Sequence, residues 1–447
     1  MTGVQARLVE RRFLVLRALR WLPTGLLIPV MVLLMVERGF SLAQIGLIGA
    51  AQGAVVLLLE LPTGGLADAL GRRPVLVAAT VVELLAVALF VVADTFWLLV
   101  TVRLLQGVHR ALESGPLDAW YVDAALAADP HADIERGLSR ATAVLGVAIA
   151  AGALIAGGLV ALDPLPAVEA LAVPLLLAVV LRLVEIGVLW RLMTEVRAPL
   201  GWAALHASMT AVPGVIRAAV RTVRSSTVLL GVIAVEVFWG FGMSTFETLL
   251  PPRLAEVAGG ADQAAAMLGP ASSAAWLVSA TGAAAIPWVT RRLGSAATAA
   301  ALRVVQGITV VGMALAAGPV GVIAAYLATY GIHGAANPVH FALLNREVGG
   351  EHRATVLSVN SMVSLTSGAV GGVVLGWLAD AAGVPAAMVA GAVVLAVAAP
   401  LYLPAHRAER RRRAVAGGRD RRSGPAEPAV RPAIRPAEPA RRSHRRR

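Results

Sequence analysis

The chain has 447 residues, 58% of them hydrophobic and only 15% charged, with a mean hydropathy of +0.75; that composition excludes a soluble globular fold and makes the lipid bilayer its solvent. It has no cysteine and only eight scattered histidines, which leaves no disulfide, no thiolate metal ligand and little on which to build a zinc site. All 39 basic residues are arginine, so a lysine-containing phosphate loop and Schiff-base chemistry are excluded, and neither an ATP-driven pump within this chain nor a cofactor is expected.

A helix needs about 20 apolar residues to cross the hydrocarbon. Stretches of that kind recur at 13–36, 45–66, 75–93, 97–119, 141–162, 167–192, 228–250, 267–289, 296–317, 320–344, 355–379 and 384–403, which predicts an all-α membrane protein with twelve transmembrane helices. The first stretch is too long for a signal-peptide core and carries Arg17 and Arg20 without a small-residue cleavage site, so it is expected to stay attached. With the N-terminus inside, the inner connections hold fifteen arginines, from Arg7, Arg11 and Arg12 to Arg346 and Arg353, while the outer ones hold only Arg38 and Arg253. That asymmetry predicts a multi-pass protein of the inner (plasma) membrane with both termini cytoplasmic.

Residues 193–227 form the longest internal connection. There Arg217, Arg221 and Arg224 fall opposite Val215, Val220 and Val223, a pattern that fits either a surface-lying amphipathic helix or a solvated linker. Residues 405–447 hold fifteen arginines against Glu409, Asp420, Glu427 and Glu438, whereas the rest of the chain balances 24 arginines against 23 acidic residues. The net charge of +12 therefore belongs to a Pro/Ala/Arg tail, expected to be disordered, that helps fix topology or meets anionic headgroups; no nucleic-acid partner is implied.

Two halves are visible in internal repeats. Arg140-Ala141-Thr142-Ala143-Val144-Leu145 opens the fifth span and Arg353-Ala354-Thr355-Val356-Leu357 the eleventh; Asp68-Ala69-Leu70-Gly71-Arg72-Arg73 after span two has a counterpart in Arg291-Arg292-Leu293-Gly294 after span eight. Six spans separate each pair, so the repeats run parallel. The expected organisation is a six-helix bundle over 1–192, a cytoplasmic linker over 193–227, a second six-helix bundle over 228–404 and the basic tail over 405–447. Leu378-Ala379-Asp380 also copies Leu66-Ala67-Asp68, but it lies on the opposite face in this topology and is set aside as an echo of a small apolar alphabet.

The segment Gly64-Gly65-Leu66-Ala67-Asp68-Ala69-Leu70-Gly71-Arg72-Arg73 resembles the cytoplasmic loop motif G-x-L-A-D-[RK]-x-G-R-[RK] of the major facilitator superfamily. Arg103-Leu104-Leu105-Gln106-Gly107 resembles its R-x-x-Q-G motif, and Ser114-Gly115-Pro116-Leu117-Asp118-Ala119-Trp120 is similar to drug-efflux-like members. Ala69 replaces the usual basic residue, and span five lacks the Gly-Pro pair of many proton-driven antiporters. The resemblance covers residues 10–404. It implies two pseudo-symmetric six-helix bundles and a cytoplasmic gate at Gly64, Asp68, Gly71, Arg72 and Arg73, with the Asp68 carboxylate near the start of span eleven, where the helix dipole is positive.

Ionisable groups kept at membrane depth are functional candidates unless paired for structure. In span four Arg103, Gln106, Arg110, Glu113, Ser114 and Asp118 share about 140° of helical arc, opposite Leu104, Leu105, Val108 and Leu112; cavity lining competes with simple Arg110–Glu113 pairing at i,i+3. In span seven Glu236, Gly240, Met243 and Glu247 lie along one line beside Trp239, and Glu236 falls near the midplane, where a carboxyl is able to take a proton near neutrality. Span ten offers Tyr326, Tyr330, His333, Asn337 and His340 in one stripe, suited to a ligand with apolar and hydrogen-bonding parts. Glu60, before Pro62, is a further coupling candidate or a structural support of the gate. Glu83, Arg182, Glu185 and Arg303 read as structural.

The expected substrate and cavity residues are thus Arg103, Gln106, Arg110, Glu113, Asp118, Glu236, Trp239, Met243, Tyr330, His333 and Asn337; the proton-coupling candidates are Glu236, Glu113, Asp118 and Glu60. The expectation is a monomeric secondary transporter, not an enzyme, exporting a small amphipathic drug-like compound against protons by alternating access. Proton-coupled uptake of a nutrient is the alternative. A remote one is a membrane transferase holding Mg²⁺ at Asp129 and Asp133.

Overall fold

The computed structural model describes residues 2–195, 201–348 and 353–422, with side chains undescribed at 2–3, 60–62, 64–65, 204–205, 207–208, 211–212, 215–216, 219, 354–355 and 415–422. The first half contains α1 (Thr2–Leu27), α2 (Met31–Glu37), α3 (Leu42–Leu70), α4 (Arg72–Val92), α5 (Phe96–Glu113), α6 (Pro116–Ala128), α7 (Ile134–Leu162) and α8 (Val173–Leu192). After α9 (Trp202–Ser225) come α10 (Thr227–Glu247), α11 (Leu250–Ala258), α12 (Ala261–Leu293), α13 (Ser295–Leu315), α14 (Pro319–Arg346), α15 (Arg353–Ala382), α16 (Val384–Val397) and α17 (Leu403–Arg422).

Each of the twelve expected spans coincides with a helix or a broken pair. The breaks fall where the chemistry demands them. Gly115, at φ +97°, precedes Pro116 between α5 and α6, and Pro251 and Pro252 open α11. Among the described residues nine helical segments are long and apolar enough to span by composition; spans four, eight and ten fall outside that group. Spans four and ten carry polar stripes, and there the residues that mark a site also dilute the membrane signal.

The packing repeats with a period of six spans. In the first half α1 packs on α7, α3 on α5, α4 on α5 and α4 on α8; the equivalent pairs α10 with α15, α12 with α14, α13 with α14 and α13 with α16 pack in the second. The halves meet through α3 with α15 and α7 with α12, again an equivalent pair. Small residues permit this, since lipid offers no hydrophobic drive between helices: a Cβ on Gly46 of α3 would lie 2.3 Å from the Gly372 carbonyl oxygen of α15, and one on Gly269 of α12 would lie 2.6 Å from that of Ala153 in α7. Gly71 and Gly294 both take positive φ, +98° and +87°, at the α3–α4 and α12–α13 junctions, as their repeated sequence context predicts.

Arg38 and Arg253, the two arginines expected on the outer face, obey the same repeat. Arg38 donates to the carbonyls of Phe90, Val91 and Ala93 at the end of α4, at 2.8–2.9 Å, and pairs with Glu169 at 2.6 Å. Arg253 donates to the Ala316 carbonyl at the end of α13 at 2.8 Å and pairs with Glu256 at 2.7 Å. Each covers orphan carbonyls at the negative end of a helix dipole.

In α9, Arg217, Arg221 and Arg224 are exposed and Val223 is buried, but Val220 is exposed, so only part of the expected apolar face is covered. The described residues from Arg407 onward form a unit distinct from the preceding chain. Where disorder was expected from 405 onward, α17 is helical to Arg422: Ala, Glu and Arg are strong helix formers, and Pro425, Pro428, Pro432, Pro436 and Pro439 all come after this point. The rest of the tail expectation, 423–447, lies outside the described residues.

Candidate functional site

The membrane-depth charges of the first half are tied to one another. Glu113 at the end of α5 pairs with Arg20 of α1 and lies 3.5 Å from His109; Asp118 of α6 pairs with Arg17 of α1. Glu113 does not pair with Arg110, the i,i+3 alternative. Arg182 binds Glu185 at 2.6 Å and lies 4.0 Å from Glu83, and Glu83 accepts from Gln106 at 3.5 Å. Arg103 donates to the side-chain oxygens of Gln52 and Gln106, each at 3.1 Å. Buried ions persist only when paired or hydrogen-bonded, and this lattice meets that requirement on α1, α4, α5 and α8.

In the second half α10 carries Glu236, only 5% exposed. Its oxygen lies 3.1 Å from Nε2 of His340 on α14; the same nitrogen is 3.0 Å from Oδ1 of Asn360 on α15, and Nδ1 is 3.1 Å from the Tyr402 hydroxyl. With Nε2 protonated the neutral ring donates toward Glu236 and Asn360 and accepts from Tyr402, so every polar atom of the imidazole is used. Arg303 of α13, expected to be structural, is 1% exposed, donates to Gln306 at 2.9 Å and bonds Tyr402. Glu247 accepts from the Tyr330 hydroxyl at 2.7 Å.

Between the halves lie two adjoining cavities of about 410 and 430 Å³ that share Val56, Arg110, Met243, Ser364 and Leu365. The first is lined also by Trp21, Glu113, Ser114, Glu236, Trp239, Asn337 and His340, the second by Gln52, Arg103, Ser244 and Glu247. The stripes of spans four, seven and ten therefore open onto one chamber, which α3 and α15 complete. Arg110 stands at the junction, and among the described residues no side chain pairs with it.

Of the expected cavity residues, Arg103, Arg110, Glu113, Glu236, Trp239, Met243 and Asn337 line the chamber; Gln106, Asp118, Tyr330 and His333 do not. Gln106 accepts from Arg103 and donates to Glu83, and Asp118 pairs with Arg17. Tyr330 and His333 pack behind the wall: the His333 ring stacks on Trp239 with centroids 5.5 Å apart, and Phe246 meets Tyr330 and His333 edge-on at 5.9 Å. The span-ten stripe is thus divided between an aromatic buttress and the polar end, Asn337 and His340, that faces the space. Unforeseen lining came from Asn360, Ser361 and Ser364 of α15, polar residues in an apolar span and so a legible signal, and from Gln52 of α3.

At the expected gate, Arg72 pairs with Asp123 of α6 and lies 3.9 Å from Asp68, whose side chain is mostly exposed. The Arg73 backbone N–H donates to Glu195 at 2.7 Å, and its guanidinium sits 4.0 Å above the Trp190 ring. Asp123 was not anticipated. Glu60 and Gly64 fall among the undescribed side chains, as do Ala354 and Thr355 at the start of α15 beside which Asp68 was expected. The carboxylates of the remote transferase alternative serve local turns: Asp129 accepts from the His131 N–H and Asp133 caps α7 by accepting from the Arg136 N–H, each at 3.0 Å. Among the described residues no cluster suited to a metal is present.

A sequence model described as Major Facilitator Superfamily matches residues 13–336. The chain is 27% identical over 103 residues to an uncharacterized MFS-type transporter, YxaM, of Bacillus subtilis (strain 168); the match spans 23% of this chain and 26% of that protein. Among solved structures, it superposes on the nucleoside transporter NupG with TM-score 0.72 at 14% identity, covering 88% of this chain and 98% of that one. The inward-facing, unoccupied form of a bacterial homolog of the human lysosomal transporter Spinster gives TM-score 0.70 at 16% identity, covering 90% and 97%. At those identities the likeness shows the fold alone.

Proposed function

This chain belongs to the major facilitator superfamily and is a multi-pass secondary transporter rather than an enzyme, and from that premise we propose that it exports a small amphipathic compound bearing an acidic group, in exchange for protons, by alternating access. The observation that carries the reading is the chamber between the halves, where a guanidinium with no partner among the described residues, Arg110, and a buried carboxyl on a histidine, Glu236 with His340, line the same space. Arg110 supplies the charge that an acidic group requires, and Trp239, Met243 and Leu365 supply apolar surface for the rest of the ligand.

Coupling requires that proton and substrate compete through differential affinity. Exchange follows when a hydrogen-bond donor or cationic group of the same compound rests on the ionised Glu236 while its acidic group meets Arg110. Protonating Glu236 removes the first contact, so proton and substrate exclude one another, whereas a purely anionic ligand binds more tightly beside the protonated carboxyl and travels with the proton, as the symport alternative requires. His340 Nε2 faces the carboxyl in either state, donating to the carboxylate in one tautomer and accepting from the carboxylic acid in the other, with Nδ1 on the Tyr402 hydroxyl in both. In this reading the protein works as a monomer in the plasma membrane with both termini cytoplasmic, and the Asp68 end of α3 faces the cytoplasm.

Everted vesicles from expressing cells, acidified inside, test direction and coupling together. Export predicts that acidic amphipathic compounds from a panel accumulate inside and leave when the pH gradient is collapsed. Uptake by symport predicts the opposite dependence, with accumulation in right-side-out vesicles acidified outside. No gradient-dependent movement in either preparation contradicts both.

A further inference from the structure

The copy of Leu66-Ala67-Asp68 at Leu378-Ala379-Asp380, set aside above as an echo, occupies a defined place in the fold. Each triplet ends a long helix, α3 and α15, and these two helices cross the interface between the halves. The Asp380 Oδ1 accepts from the Leu42 N–H and Oδ2 from the Ala43 N–H, both at 2.9 Å, 338 and 337 residues away in sequence. Leu42 and Ala43 are the first residues of α3. The next free amide, Gln44, is bonded by the Ser41 hydroxyl, while the Gln44 side chain accepts from the Ser41 N–H.

A capping box satisfies one end of this arrangement locally; Asp380 satisfies the rest from the other half of the chain. A carboxylate with both oxygens on helix N-terminal amides is a charge-assisted contact favoured by the dipole. It is also conditional. The two halves touch here through backbone, since a Cβ on Gly376, one turn before Asp380, would lie 2.3 Å from the Leu42 carbonyl oxygen. Any rocking that parts α3 from α15 at this end must break both hydrogen bonds and return the carboxylate and the amides to water.

We propose that Asp380 is the latch that holds the chamber closed at its own end, opposite the Asp68 end, and that it sets the balance between the two access states. The latch rests on the reading that the halves rock, but not on the identity of substrate or ion.

The absence of native cysteine makes an introduced Ser364→Cys, in the chamber wall shared by both cavities, a clean reporter. Its rate of labelling by a membrane-impermeant maleimide is measured on intact cells and on everted vesicles. With Asp380→Asn the rate from the Asp380 side rises about tenfold, equivalent to about 1.4 kcal/mol, while the rate from the Asp68 side falls. Asp380→Glu keeps the charge and recovers part of the original ratio. Equal labelling ratios in Asp380→Asn and the parent overturn the latch. If Asp380→Asn does not fold, Gly376→Ala, which forces the same contact apart with Asp380 in place, must give the same side-specific shift; loss of folding in both variants makes the contact purely structural and also overturns the proposal. Because no transport is measured, a failed latch is distinguishable from a failed exporter.

Discussion

In the first half the carboxylates near the chamber each meet a guanidinium, Glu113 with Arg20, Asp118 with Arg17 and Glu185 with Arg182, whereas in the second half Glu236 rests on His340 and Glu247 on the Tyr330 hydroxyl. Pairing with arginine fixes a carboxylate in its charged form, because the partner never gives up its proton. Support from a neutral imidazole or phenol leaves both protonation states hydrogen-bonded. Among the described residues the first half is therefore an ionic frame that leaves Arg103 and Arg110 without a carboxylate, and the second a wall whose charge is able to change. In the function proposed here, that division takes the coupling role from Glu113 and Asp118 and gives it to Glu236.

The largest effect that breaks this comparison comes from removing one member of a pair. Arg20→Ala leaves Glu113 buried without its guanidinium and should cost about 3–5 kcal/mol, seen as loss of folded protein in thermal inactivation of the purified transporter. The double replacement Arg20→Met with Glu113→Leu removes both charges and should restore most of that stability. A double variant as damaged as the single one would mean that Glu113 is needed as a charge, not as half of a frame.

Next in size is Arg110→Gln. Losing a charge-assisted bond worth about 1.5–3 kcal/mol should raise the KM for acidic compounds roughly 10- to 100-fold, with thermal stability unchanged because no described partner is left behind. Equal losses for acidic and uncharged compounds would remove Arg110 from substrate recognition.

The smallest expected effect is Tyr330→Phe, which deletes one hydrogen bond to Glu247 behind the chamber wall. It should shift transport by no more than about fivefold, the equivalent of roughly 1 kcal/mol. A complete loss of gradient dependence in that variant would place the proton on Glu247 instead.

What could be foreseen from the chain alone follows the range of the physics involved. Hydropathy and the Gly71 and Gly294 repeats act within one helix or one turn, so the spans and the pseudo-symmetry were legible. The stripes on spans four, seven and ten act over one helix face and pointed to the chamber, though not to how deep each residue sits; Tyr330 and His333 share the face of Asn337 yet lie behind it. Pairings between distant segments were not legible. Arg17 and Arg20 gave no sign that Asp118 and Glu113 would be their partners, and Asp380 resembled coincidence because its amide donors lie more than 300 residues earlier. Arg38 and Arg253 looked like exceptions to the charge rule until the carbonyls they cover at the ends of α4 and α13 came into view.

The claim that most of this depends on is that the proton rides on Glu236, and one comparison tests it directly. Proteoliposomes containing Glu236→Gln are loaded with a compound that the parent protein accumulates, and its exchange across the membrane at equal pH is measured beside its accumulation under an imposed pH gradient. Retained exchange with no gradient-driven accumulation is the predicted result, since the amide keeps a chamber with a neutral wall while removing the titrating group. Gradient-driven accumulation at the parent level in that variant would contradict the account.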